Sequence, residues 1–213
     1  MTMMKLISAT PSPYARKVRI TLAEKGIPFE LVTEVPWNST TATPRYNPLE
    51  KLPVLVLEDG TGIYESRYIL EWIEAKHPAP PMLPTDIDAR LFARKVEVVA
   101  DGICDALVVL FWEQHRPAEL QSTEWKARQM RKVDGGLAAL ASWADGRTYM
   151  VEEKFGLADI AAGTVCRYLD VRFPQYEWRG QHPGLSRYSN QLEMRPSFAT
   201  TVPVPQIISD KVV

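Results

Sequence analysis

Cysteine is scarce in this chain. Its 213 residues include two, Cys104 and Cys166, far apart and without the paired spacing of a zinc site. Too few for a disulfide-stapled secreted domain, they suit a reducing cytoplasm, and no metal is expected. Charge of one sign is also missing: 25 Lys and Arg face 26 Asp and Glu. Nothing draws such a chain toward phosphate backbones or anionic membranes, so nucleic acid is not expected as a partner. No apolar run reaches the roughly 18 residues of a membrane helix, and charges and prolines follow "MTMMKLIS" too soon for a signal segment. No membrane partner is expected, and the expected location is cytoplasmic. Internal repeats and low-complexity tracts are absent as well.

Apolar residues are plentiful, at 46% of the chain, enough to build a sizeable core in one large domain or two modest ones. Residues 3 to 8 read as a short apolar strand. "SPYARKVRITLAEKG" then carries Tyr14, Val18 and Leu22 at helical spacing, with Gly26 placed to end the helix. "FELVTEV" reads as a second strand, and so short a crossover favours a parallel, right-handed pairing. "PWNSTTATPRYNP" is mostly loop. "KLPVLVLEDGTGIYES" reads as a hairpin turning at Asp59-Gly60, with a buried first strand opened by Pro53. "ESRYILEWIEAKHP" reads as a helix with Ser66 as its N-cap and Pro78 at its end.

The order so far is βαβ, loop, ββα. "HPAPPMLPTD" holds four prolines in ten residues and reads as a semi-rigid linker. Beyond it, residues 87–116, 122–145, 157–172 and 184–194 show helical spacing. The sequence from Thr200 onward defeats periodicity. The resulting domains are 1–78, a linker at 79–86, and an all-helical 87–213.

"SATPSPYARKVR" crowds the hydroxyls of Ser8, Thr10 and Ser12 against the start of a basic helix. Judged alone, Ser12 followed by Pro13 is a helix cap, Pro53 opens a strand, and Glu65-Ser66 caps the next helix. Together and in this order, Ser-Pro-Tyr-Ala, "NP" leading into "KLPVLV", and "YES" before a helix resemble the soluble glutathione transferases, most closely their serine-type bacterial and plant members. The resemblance spans most of the chain. It implies a thioredoxin-like α/β domain followed by an all-α domain, glutathione as co-substrate, a small hydrophobic electrophile as second reactant lodged against the helical domain, and a homodimer.

Residue by residue, the resemblance puts Ser12 where other members keep a reactive cysteine. A free thiol titrates near about 8.5, and a hydroxyl donor beside a helix N-terminus favours the thiolate. Ser12 would thus activate the ligand's sulfur without itself being a nucleophile. Thr10 and Ser8 are rivals for that contact, and Tyr14 a more distant one. Pro53 would be cis, and Leu52 would pair its backbone with the cysteinyl residue of glutathione. Ser66 would hold the γ-glutamyl carboxylate and Glu65 its ammonium. Lys51 is the candidate for the glycine carboxylate, with Arg45 and Trp37 as alternatives, because "VPWNS" stands where many relatives have a lysine.

The expected activity is conjugation or reduction of small electrophiles with glutathione, a detoxifying chemistry, with peroxide reduction as a possible side activity. A non-catalytic, glutathione-transferase-like binding or regulatory protein is the alternative. Disulfide chemistry is disfavoured because positions 12 and 15 hold Ser12 and Ala15. Asp159 in "GLADIAA" reads as a capping and folding device. In the long helix, Ala106, Val109, Leu110 and Glu113 lie where an electrophile could be reached, although each suits an ordinary helix position.

Overall fold

The computed structural model describes residues 3–213. Strands β1 (Lys5–Ser8), β2 (Glu30–Thr33), β3 (Val54–Val56) and β4 (Gly62–Tyr64) form one sheet in the order β2-β1-β3-β4. β1 and β2 are parallel, while the β1–β3 and β3–β4 pairs are antiparallel. Helix α1 (Pro13–Glu24) makes the crossover from β1 to β2. In β3, all of Val54, Leu55 and Val56 are buried, as an unbroken apolar run between two neighbours requires. Gly60, at φ 88°, turns the β3–β4 hairpin in a backbone region that glycine enters without steric cost.

Helix α2 (Ser66–Lys76) closes the α/β arrangement. Ser66 is its first helical residue and Glu65 its N-cap, a correction to the expected Ser66 cap. Gly26, at φ 64°, ends α1 in the left-handed conformation expected of it. The proline-rich stretch after α2 is anchored rather than loosely spaced. Lys25 Nζ, its side chain fully buried, pairs with Glu74 at 2.7 Å and donates to the carbonyls of His77 and Pro80 at 2.8 and 2.7 Å. Three acceptors satisfy all three ammonium protons, which is what makes a buried cation tolerable.

The helical elements are α3 (Ile87–His115), α4 (Thr123–Ala144), α5 (Leu157–Arg172), α6 (Trp178–Gln181) and α7 (Pro183–Glu193). The four long ones match the spacing read from the sequence, while the single-turn α6 is too short to show a period. Central in this unit is α5, nearly all of it buried. Its N-terminus is tied by the fully buried Asp159, which accepts from Gly156 N–H at 2.8 Å, from Met150 N–H at 2.9 Å and from the Tyr188 hydroxyl.

Contacts divide the chain into two units: the stretch up to Met82 together with Arg195–Val212, and Leu83–Met194. The helical domain expected from 87 to 213 therefore gives up its last segment, which packs on the α/β unit. Short helix α8 (Pro196–Ala199) lies against α1. Arg195 donates to Glu24 through Nε at 3.0 Å and Nη2 at 2.8 Å. The buried Arg16 reaches the Phe198 carbonyl at 3.1 Å and Thr201 Oγ1 at 3.4 Å. Polar partners on α1 set this docking, and no periodicity in the segment itself announces them.

Candidate functional site

The register of the sheet gathers the three separated motifs. Ile7 pairs with Val54, and Val54 with Tyr64. Ala9 follows the end of β1, Leu52 precedes the start of β3, and Ser66 follows the end of β4. Ala9, Leu52 and Val54 share one buried cluster with Ile7 and Val56. The loop through Thr10 and Ser12, the Leu52-Pro53 pair and Glu65-Ser66 thus lie at one end of the sheet, where β1 ends and α1 and α2 begin.

Ser12 is the N-cap of α1, with Pro13 as the first helical residue. Its Oγ accepts from Ala15 N–H at 3.1 Å. A hydroxyl has one proton and two lone pairs, and among the described residues nothing accepts the Ser12 proton. Capping and donation to a ligand are therefore compatible at one oxygen. Thr10 differs, because its Oγ1 donates to the Val204 carbonyl at 2.8 Å and its carbonyl accepts from Val204 N–H at 3.3 Å. Ser8 is buried, its hydroxyl directed to the Ala9 carbonyl at 3.4 Å.

Leu52-Pro53 is cis. Leu52 precedes the paired residues of β3, so its backbone N–H and C=O stay outside the ladder, available to an extended peptide. Glu65 holds φ at 71°, a left-handed conformation costly for a residue with a Cβ. There its carboxylate accepts from Arg67 N–H at 3.2 Å, and the buried Ser66 points its hydroxyl at the same group at 3.4 Å. A strained acidic residue at a helix start is the sort of outlier that accompanies a binding site.

Lys51 is exposed, and its ammonium has no ion-pair partner among the described residues. Arg45 and Trp37 are exposed too, Arg45 at the end of a single 3₁₀ turn, Thr43–Arg45. The sequence reading missed Asn47, which is 2% exposed. Its Nδ2 donates to the Lys51 carbonyl at 2.7 Å and its Oδ1 accepts from Leu49 N–H at 2.9 Å. It shapes the loop that delivers Lys51 and Leu52. The Asn-Pro dipeptide was the available signal, since such an asparagine bonds the backbone two residues on.

Neither cysteine suits nucleophilic chemistry. Both are buried and outside any disulfide, and burial pushes the Cys166 thiol up to about 12. Of the α3 residues considered for an electrophile, Ala106 and Leu110 are core. Glu113 accepts from Ser122 N–H at 2.7 Å and from Arg116 at 3.3 Å, joining α3 to the start of α4. No cluster of metal-ligating side chains occurs among the described residues, and no described helix is long and apolar enough to cross a membrane.

A mixed four-stranded sheet with this register, a cis Leu-Pro pair before β3 and a separate helical unit define the class of a thioredoxin-like domain joined to an all-α domain. Residues 11–76 match the glutathione S-transferase N-terminal domain family, and residues 123–191 the C-terminal domain family. The chain belongs to the glutathione S-transferase family.

It is 60% identical to a glutathione S-transferase of Methylobacterium radiotolerans solved with glutathione sulfonate, with a TM-score of 0.97 and both chains covered in full. It is 38% identical, with a TM-score of 0.90, to one from Methylobacillus flagellatus solved with glutathione bound, over 94% of this chain and 100% of that one. It is also 40% identical over 200 residues to the uncharacterized GST-like protein YibF of Escherichia coli, covering 94% of this chain and 98% of that protein.

Proposed function

We propose that this protein is a glutathione transferase in which Ser12 stabilises the thiolate of bound glutathione for attack on a small hydrophobic electrophile. The observation that carries it is the Ser12 hydroxyl: fixed at the N-terminus of α1 by Ala15 N–H, with its proton unspent, at the same end of the sheet as Leu52 and Ser66. The two solved relatives with glutathione or its sulfonate bound support the choice of thiol.

In this reading the tripeptide runs along the sheet end. Leu52 pairs its backbone groups with the cysteinyl residue as a strand would, behind Pro53. Ser66 receives the γ-glutamyl carboxylate with its hydroxyl and its own N–H, at the positive end of α2. Glu65 takes the ammonium. Lys51, shaped into place by Asn47, takes the glycine carboxylate. The α/β unit, the stretch up to Met82 together with Arg195–Val212, holds glutathione.

The Ser12 proton and the positive end of α1 both favour charged over neutral sulfur, so the thiol proton leaves to water and the bound thiolate persists at neutral pH. Sulfur then forms a bond to the electrophilic carbon while the leaving group departs with its electron pair. Holding both reactants in place contributes much of the rate. A homodimer located in the cytoplasm completes the proposal.

Immobilised glutathione is expected to retain the protein. Ser12→Ala is expected to lower the conjugation rate on the order of 10²-fold, as for removal of one donor aimed at a reacting anion, while retention persists. A panel of aryl halides, enals and one organic hydroperoxide reads both conjugation and any peroxide reduction. Retention without activity on that panel would establish the non-catalytic binding protein instead.

A further inference from the structure

The chain after α8 has no regular secondary structure, yet polar contacts hold it along its length to two loops of the α/β unit. Val204 forms the two-bond pair with Thr10 at 2.8 and 3.3 Å. Gln206 Nε2 donates to the Glu34 carbonyl at 3.1 Å. Ser209 N–H donates to Asn38 Oδ1 at 3.1 Å, and the Asp210 carboxylate accepts from Ser39 N–H at 2.5 Å. The two loops leave the carboxyl ends of the parallel neighbours β1 and β2, where Glu34 N–H still bonds the Ser8 carbonyl at 2.9 Å. One loop leads into Ser12. The other, Glu34–Ser39, is the "VPWNS" stretch, which contains no lysine or arginine.

We propose that Val204–Asp210 is a positioning strap for the glutathione site, fixing Thr10 and the Glu34–Ser39 loop so that the tripeptide meets a preformed surface. The inference rests on the reading of Ser12, Leu52 and Ser66 as a glutathione site and adds residues that act on it through other residues. Loops at strand ends are otherwise among the most mobile parts of a domain. Ordering them before the ligand arrives removes an entropic cost from binding and leaves the chemistry of the sulfur untouched. The strap also settles the part played by Thr10. Its proton is committed to Val204, so it stiffens the approach to Ser12 instead of competing with it for sulfur.

The test uses the full chain carrying Gln206→Ala and Asp210→Ala together, which removes two of the contacts to the Glu34–Ser39 loop without touching Ser12, Leu52, Glu65 or Ser66. The KM for glutathione is expected to rise about 3- to 10-fold, the range that one or two hydrogen bonds command, with kcat and the pH profile of the thiolate unchanged. In the ligand-free protein, the amide of Ser39 is expected to exchange faster with solvent while amides of α1 and β3 keep their protection. Asp210→Asn, which retains an acceptor for Ser39, is expected to restore most of the affinity. An unchanged or lowered KM alongside unchanged exchange at Ser39 overturns the strap. A parent chain that fails to bind glutathione overturns the functional reading instead, and the exchange at Ser39 then decides whether the tail orders the loop.

Discussion

At the scale of single residues, Ser12 and Asp159 show how one side chain can carry two demands. Ser12 caps α1 with a lone pair and keeps its proton. The expected loss of activity without loss of glutathione retention in Ser12→Ala therefore separates its chemical part from its structural one. Because the substitution also removes a cap, it is expected to destabilise the domain by about 1 kcal/mol, measurable by urea denaturation.

Asp159 was legible in "GLADIAA" as a capping residue, but its partners Met150 and Tyr188 were not, since they come from distant loops and helices. Burial raises its carboxyl above the usual range, against the pull of the Tyr188 hydroxyl and the two N–H donors. Asp159→Ala leaves those donors without their acceptor inside the core and is expected to cost on the order of 3 kcal/mol or more, read as a lower urea midpoint with unchanged slope.

At the scale of elements, the joint between α1 and α8 depends on Glu24. Burial works to raise its carboxyl, but hydrogen bonds from Arg195 and Ser197 and the charge of Arg195 hold it below its ordinary 4.5. A group lowered in the folded state contributes stability that is fully present above its unfolded pKa and is lost as pH falls through the folded value. Glu24→Gln is therefore expected to lower stability at pH 7 and to flatten the acid limb below about pH 4.5, recorded by thermal melts between pH 7 and 3. Asp159, raised by burial, works with the opposite sign, since the fold favours its protonated form on acidification. Of the joint, the sequence shows α1 with its stripe and its Gly26 stop. Helix α8 is a single turn, and the residues that seat it, Arg16 and Glu24, look from sequence like ordinary polar positions of an amphipathic helix.

At the scale of the whole molecule, a homodimer is expected in sedimentation, with a mass twice the 24.1 kDa of the chain. A monomer at micromolar concentration would count against that assembly. The sequence alone determined the βαβ–ββα order and the four long helices, and through its family resemblance it marked Ser12, Leu52-Pro53 and Glu65-Ser66 as candidates. Each of these is written in local terms: a hydrophobic period, a capping residue, a proline at a strand start.

Tertiary structure alone decided three further points. The sheet register lined the trio up at one end. Asn47 turned out to hold the Lys51 loop. The segment beyond α8 joined the α/β unit and tied down Thr10 and Ser39. These depend on hydrogen bonds between groups far apart in the chain, such as the 171 positions between Ser39 and Asp210. Such a bond has no local period or composition to mark it, because its partners come together only when the rest of the fold has placed them.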